Sequence, residues 1–230
     1  MDSDSERNYQ EAVLKIVFLG EPGVGKTSII HRYLNDQFSG DSIQTSGVEF
    51  HRKRISFPGN TDVSLHIWDT GGAALISGML SSYLHEAHVL VFVYDITNTN
   101  SFVKLTDWFE MIQKYYPPTV DGSSKRKDPF MAVIGNKSDL QHLRTIKPER
   151  AMKFAQERGV AETGVISAQS NDGVHVLFRK ITATVLGLRL GRADFEQDIV
   201  AAQLPQNSRD PNPIIRPTGN PSRSSICAIS

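Results

Sequence analysis

Gly20-Glu21-Pro22-Gly23-Val24-Gly25-Lys26-Thr27 decides the architecture of this chain. It fits G-x-x-x-x-G-K-[S/T] and follows directly on Val13-Leu14-Lys15-Ile16-Val17-Phe18-Leu19, an apolar run of strand length. Glycines let backbone N–H groups curl around a chain of phosphates, and the donors run from Gly23 through Val24, Gly25, Lys26 and Thr27 to Ser28. Lys26 would neutralise β- and γ-oxygens, and the Thr27 hydroxyl would ligate Mg²⁺. A helix opening near Lys26 adds its positive dipole end. The competing reading, a chance glycine-rich turn, accounts for neither the strand before it nor the helical pattern after it.

The remaining composition narrows the class. At 230 residues, of which 39% are hydrophobic, the chain suits one large domain plus a tail. With 25 basic and 25 acidic residues the net charge is zero, which favours no polyanionic partner, nucleic acid included. Val89-Leu90-Val91-Phe92-Val93-Tyr94 is the longest apolar run and is too short to span a bilayer. The acidic opening Met1-Asp2-Ser3-Asp4-Ser5-Glu6 has no leader pattern, and Asp2 in place of Gly excludes N-myristoylation. Cys227 is the only cysteine, consistent with a reducing compartment, so a soluble intracellular protein is expected.

Strand-like and helix-like segments alternate, which predicts an α/β domain with a mostly parallel sheet. A helix is expected over about Lys26–Gln37. Strands near Gly47–Phe57 and Asp62–Asp69, joined by Pro58-Gly59-Asn60, read as an antiparallel hairpin. Further strands are expected at Val89–Asp95, Phe130–Gly135 and Gly164–Ala168. Helices are expected at Ser101–Tyr115, with Phe102, Leu105, Phe109 and Ile112 on one face, at Pro148–Arg158, and at Val174–Leu188. The polar connection after Tyr116 carries Lys125-Arg126-Lys127, read as a solvated loop rather than a binding patch. From Gln206 to Ser225 the chain is rich in Pro, Asn, Ser and Arg, a composition that predicts disorder.

Asn136-Lys137-Ser138-Asp139 follows the strand ending at Gly135. A carboxylate there can accept both N1–H and N2–H₂ of guanine, which adenine cannot supply. Placed at a strand end downstream of a phosphate loop, Asp139 points to a guanine nucleotide.

These motifs, with Trp68-Asp69-Thr70-Gly71-Gly72 and Ser167-Ala168-Gln169, resemble in order and spacing those of the Ras-superfamily small GTPases, over residues 13 to about 188. The resemblance implies a small G domain, a six-stranded mostly parallel sheet flanked by five helices, between a flexible acidic segment (1–12) and a hypervariable tail (189–230). Gly47-Val48-Glu49-Phe50, Ile67-Trp68-Asp69-Thr70 and Val93-Tyr94-Asp95-Ile96-Thr97 are similar to Rab signatures. Asn136-Lys137-Ser138-Asp139-Leu140, Arg144-Thr145-Ile146-Lys147-Pro148-Glu149 and Arg223-Ser224-Ser225-Ile226-Cys227-Ala228 resemble the divergent Rab subgroup numbered twenty-eight.

The resemblance also implies roles. Phe38 would pack against guanine, with Asn136, Lys137, Asp139, Leu140, Ser167, Ala168 and Gln169 around the base. Thr45 would hold Mg²⁺ and the γ-phosphate in the GTP state only. Asp69 would hold Mg²⁺ through water, and the Gly72 N–H would sense the γ-phosphate. Losing that phosphate would release Thr45 and Gly72, an order–disorder switch. Phe50, Trp68 and Tyr83 match an aromatic triad that many Rabs show to effectors, against plain core packing as the alternative. The expected companions are effectors, an exchange factor and a GTPase-activating protein, with the chain itself a monomer.

Two residues depart from the pattern. Ala73 stands where most relatives carry the glutamine that orients the attacking water, so intrinsic hydrolysis is expected at or below about 10⁻⁴ s⁻¹. Pro22 lacks an N–H and crowds the space beside the γ-phosphate. Many Rab-activating proteins supply both an arginine and a glutamine in trans, so stimulated hydrolysis is compatible with Ala73. Ala74 replaces an acidic residue, and Gln169 a lysine whose stem covers the base. With Lys26, Thr45, Gly72 and Ala73 as the catalytic set, a second reading is a GTP-loaded docking module that scarcely cycles.

Cys227-Ala228-Ile229-Ser230 is a C-a-a-X box whose final serine favours farnesyl, implying a prenyltransferase as partner. One lipid gives marginal, reversible membrane binding. Arg216 and Arg223 are too sparse for a second, polybasic signal. Residence on the cytosolic face of a membrane is therefore expected to be transient, with resemblance alone suggesting endosomes or a ciliary base.

Overall fold

A computed structural model describes residues 12–40, 44–58, 61–76, 78–116, 128–191 and 194–195. The acidic segment 1–11, Gly59 and Asn60 of the expected hairpin connection, the basic triplet and the tail from 196 with Cys227 lie outside the described residues.

β1 (Ala12–Leu19) shows how the sequence builds two cores at once. Side chains alternate across a strand, so Leu14, Ile16 and Phe18 enter one apolar layer while Val17 and Leu19 enter the other. Both faces are buried, which is why the segment reads as an almost unbroken apolar run. β4 (Val89–Asp95) repeats the device, sending Val89, Val91 and Val93 one way and Leu90, Phe92 and Tyr94 the other. With β2 (Val48–Phe57), β3 (Thr61–Thr70), β5 (Phe130–Asn136) and β6 (Glu162–Val165), they form one six-stranded sheet in the order β2-β3-β1-β4-β5-β6. Only the β2–β3 pair is antiparallel.

One face is covered by α1 (Lys26–Asn35) and α6 (Val174–Leu186), through Ile29, Ile30, Tyr33, Val174, Leu177, Phe178 and Ile181. Tyr33 stacks on Phe178 with ring centroids 3.7 Å apart. The other face carries α2 (Leu80–Leu84), α3 (Thr99–Val103), α4 (Leu105–Tyr115) and α5 (Pro148–Glu157). Trp108 of α4 is fully buried there, and its indole N–H still reaches Glu21 Oε1 at 3.2 Å. Burial of a side chain that size contributes about 3 kcal/mol.

The expected helix over Ser101–Tyr115 begins two residues earlier and is jointed. The Asn98 side chain accepts from the N–H groups of Asn100 and Ser101, capping α3, and Lys104 separates α3 from α4. Counted as one broken helix, α3–α4 gives the five flanking helices expected. The last strand also differs. It spans Glu162–Val165 rather than Gly164–Ala168, because the Ser167 N–H goes to Asp172 O at 3.0 Å and the Ala168 N–H to Asn136 Oδ1 at 3.1 Å. Those donors close a binding loop instead of extending a ladder.

Strand order reverses around β1, whose neighbours are β3 and β4. Open α/β sheets bind ligands at the carboxyl ends of the strands beside such a reversal. The motif residues gather there.

Candidate nucleotide site

The loop between β1 and α1 is built by its glycines. Gly20 has φ +139°, and a Cβ there would lie 2.3 Å from Val93 O. Gly25, the residue capping α1, has φ +94°, and a Cβ would collide with the Asn136 amide at 2.3 Å. Lys26 lies inside this loop, its ammonium donating to Gly20 O at 2.7 Å and Glu21 O at 3.0 Å. Burial lowers its pKa to about 8, opposed by the charges of Asp69 and Glu21. An ammonium so stripped of water is held where phosphate oxygens would restore its counter-charge.

Thr27 reaches two partners from the first turn of α1. Its hydroxyl donates to Asp69 Oδ2 at 2.5 Å and lies 2.8 Å from the Thr45 hydroxyl. Asp69 is fully buried at the end of β3, and its second oxygen, Oδ1, has no hydrogen-bond partner among the described residues. Burial raises the carboxyl pKa, opposed by the Thr27 bond and by Lys26. Two hydroxyls beside a buried carboxylate with an orphaned oxygen suit a hard divalent cation, so the residues fit Mg²⁺. Thr27, Thr45 and Asp69 would hold it, and when bound it supplies charge neutralisation for phosphate oxygens.

Asn136 ties the site together. Its Nδ2 donates to Val24 O at 2.9 Å and its Oδ1 accepts from the Ala168 N–H, so one buried amide spans the phosphate loop and the base loop. Asp139 Oδ1 accepts from Ser167 Oγ at 2.5 Å, which aims the carboxyl. Lys137 adopts φ +71° and pairs with Asp95 Oδ2 at 2.7 Å.

A cavity of about 530 Å³ opens between these groups, within the roughly 300–1,000 Å³ usual for small-molecule sites. Pro22, Gly23, Gly25, Lys26, Thr27, Ser28, Phe38, Thr45, Gly72, Asn136, Lys137, Asp139, Leu140, Ala168 and Gln169 all line it. Val24 is not among them: its side chain is buried in the core, and its carbonyl accepts from Asn136 Nδ2. Ser167 and Asp69 sit behind the wall, and Ala73 is exposed beyond it. Ser39, Gly40, Gln44, Thr70 and Gly71 also line it. Adjacency to Phe38 and Thr45, and the quoted Trp68–Gly72 motif, were the available signals for those five.

Arg32 is the support that motif reading misses. From α1 it donates to Ala168 O at 2.8 Å and Gln169 O at 2.9 Å, fixing the base loop. Nothing in the local sequence joins residues this far apart.

The loop Thr45–Gly47 and the loop after β3 meet at glycine. Gly71 N–H donates to Gly47 O at 2.7 Å, and a Cβ on Gly71 would lie 2.4 Å from Thr45 O. Gly72 packs on Pro22, where a Cβ would lie 2.3 Å from the proline nitrogen.

The Ras family model matches residues 15–187. The chain belongs to the Ras family of small GTPases. It is also 31% identical to Ras-related protein Rab-28 of Caenorhabditis elegans, over 100% of this chain and 91% of that protein. The resemblance to the Rab subgroup numbered twenty-eight is borne out by that similarity. As a Ras-family member the chain is a nucleotide-dependent switch that binds guanine nucleotide with Mg²⁺ and meets regulators of that cycle. Among the described residues no helix is long and apolar enough to cross a membrane.

Proposed function

We propose that this GTPase is a Rab-type switch of membrane traffic whose intrinsic hydrolysis is slow. Ala73 carries the reading: it is exposed just outside the cavity wall formed by Pro22 and Gly72, and a methyl group can neither hold nor polarise water. Lys26, Thr45 and Gly72 serve the phosphates in this reading, while Asp139, Phe38 and the Ala168 N–H serve guanine. Single-turnover hydrolysis of bound GTP tests it. A rate at or below about 10⁻⁴ s⁻¹, raised in Ala73→Gln, supports the proposal. A wild-type rate matching a glutamine-bearing Rab refutes it.

Effectors dock on the aromatic group in this reading. Phe50 is 54% exposed and meets Trp68 edge-on at 5.8 Å, which favours a contact surface over core packing. Trp68 in turn neighbours Tyr83, itself only 6% exposed. Farnesylation at Cys227 supplies reversible attachment to a cytosolic membrane face, endosomal or at a ciliary base. A Cys227→Ser fusion with unchanged membrane association refutes that part.

The second reading, a GTP-loaded docking module that scarcely cycles, rests on the Pro22–Gly72 contact beside the phosphates. Turnover that stays unmeasurable with a Rab-activating protein supplying arginine and glutamine favours it.

A further inference from the structure

His31, Glu49 and His51 form a cluster that the nucleotide site does not use. His31 lies on α1, while Glu49 and His51 are two residues apart on β2 and so share one face of the strand. One ligand atom from each residue lies within 4.8 Å of the others. The imidazoles of His31 and His51 meet at right angles with centroids 5.7 Å apart.

The decisive atom is His51 Nε2. It is buried and has no hydrogen-bond partner among the described residues, yet Glu49 Oε2 stands 3.8 Å away. That separation is too long for a hydrogen bond. Bonds of about 2.0–2.2 Å in a tetrahedral site place two ligands roughly 3.3–3.6 Å apart, so a movement of a few tenths of an ångström lets both atoms bind one ion. An orphaned buried nitrogen otherwise costs about 1–3 kcal/mol.

We propose that His31, Glu49 and His51 bind one Zn²⁺. Two imidazoles and a carboxylate are a borderline-soft set that suits zinc and disfavours Mg²⁺, so the site is chemically distinct from the all-oxygen cluster of Thr27, Thr45 and Asp69. Glu49 has a half-exposed side chain that can rotate toward the two imidazoles, and three protein ligands leave a fourth position to water. The ion would staple β2 to α1. In the β2–β3 ladder Glu49 is the direct partner of Asp69, so the staple would sit one residue pair from the magnesium carboxylate.

The test uses the full chain loaded with GDP and saturating Mg²⁺, in a Cys227→Ser background that removes the thiol as a competing ligand. Zn²⁺ is titrated against a chromophoric chelator. One tight equivalent is expected, weakened at least about tenfold in His31→Ala, His51→Ala and Glu49→Gln, because losing a direct ligand costs no less than losing an outer-shell partner. Co²⁺ should give visible absorption in the Cys227→Ser chain that disappears in His51→Ala. Retained GDP reports that each variant is folded, and Glu49→Gln, on the exposed rim, carries the test if a histidine variant is not. Absence of a stoichiometric zinc equivalent, or affinity in all three variants unchanged from the Cys227→Ser parent, overturns the proposal.

Discussion

Gly72 and Pro22 touch so closely that a Cβ on Gly72 would fall 2.4 Å from the proline Cγ and Cδ. The contact joins the phosphate loop to the segment that follows β3, at the corner of the cavity where the proposed function puts a third phosphate. A residue larger than glycine has no room there while both loops hold their places.

Gly72→Ala should therefore open that corner. Overpacking of this kind costs about 1–3 kcal/mol, so affinity for a non-hydrolysable GTP analogue is expected to fall about tenfold relative to GDP. Adding Pro22→Gly should recover part of the loss, since the ring carbons disappear but the backbone nitrogen at 2.3 Å stays. Competition binding with the two nucleotides reads both effects. Equal losses for GDP and the GTP analogue would count against the corner as the place where the nucleotides are told apart.

Asn136→Ala should unfold more easily and release nucleotide faster. It strands Val24 O and the Ala168 N–H, two buried backbone groups that this amide alone bridges in the hydrogen bonds described. At about 1–3 kcal/mol for each unsatisfied group, a loss of roughly 2–6 kcal/mol is expected in urea unfolding of the GDP-bound chain. A loss below about 1 kcal/mol would mean that water replaces the amide.

Asp139→Asn should exchange guanine for xanthine. An amide offers one acceptor and one donor, matching the N1–H and C2 carbonyl of xanthine, whereas the carboxylate matches the two donors of guanine. Ser167→Ala removes the hydroxyl that aims the carboxyl at 2.5 Å and should cost only a few-fold in GDP affinity, about 1 kcal/mol. Displacement of fluorescent GDP by each nucleotide measures this, and an unchanged base order in Asp139→Asn would remove Asp139 from base recognition.

Tyr94 gives the fold an alkaline limit. Burial in β4 pushes its phenol up to about 12, with the Arg144 charge opposing. The folded state keeps a proton that the unfolded state loses near pH 10, so this group's contribution is intact below pH 10 and falls between pH 10 and about 12. The slope is about 1.4 kcal/mol per pH unit. Tyr94→Phe should flatten the wild-type decline by that amount in urea unfolding, whereas parallel curves would show that the phenol does not titrate in this window.

Sequence reading captured the parts of this molecule that rest on local constraint. The phosphate loop was legible because its glycines answer a steric demand, and β1 and β4 because both faces of each are buried. Asp139's place on the cavity was legible because it follows a strand end downstream of that loop. The displacement of β6 was not, since it depends on Asn136 taking the Ala168 N–H across the fold. Arg32 was hidden for the same reason, and so was the meeting of His31 with His51. The joint at Lys104 carries neither Gly nor Pro to announce it. α2 is only five residues long, too short for a helical period to register.

β2 lies at the rim of the sheet, bonded to β3 alone among the described strands, and its centre reads Arg52-Lys53-Arg54. Exposed rims invite a second chain to add itself as a further strand, and clustered positive charge makes two identical rims repel. Replacing all three with neutral residues is therefore expected to raise edge-to-edge aggregation, read by light scattering of the GDP-bound chain, while leaving the nucleotide pocket intact.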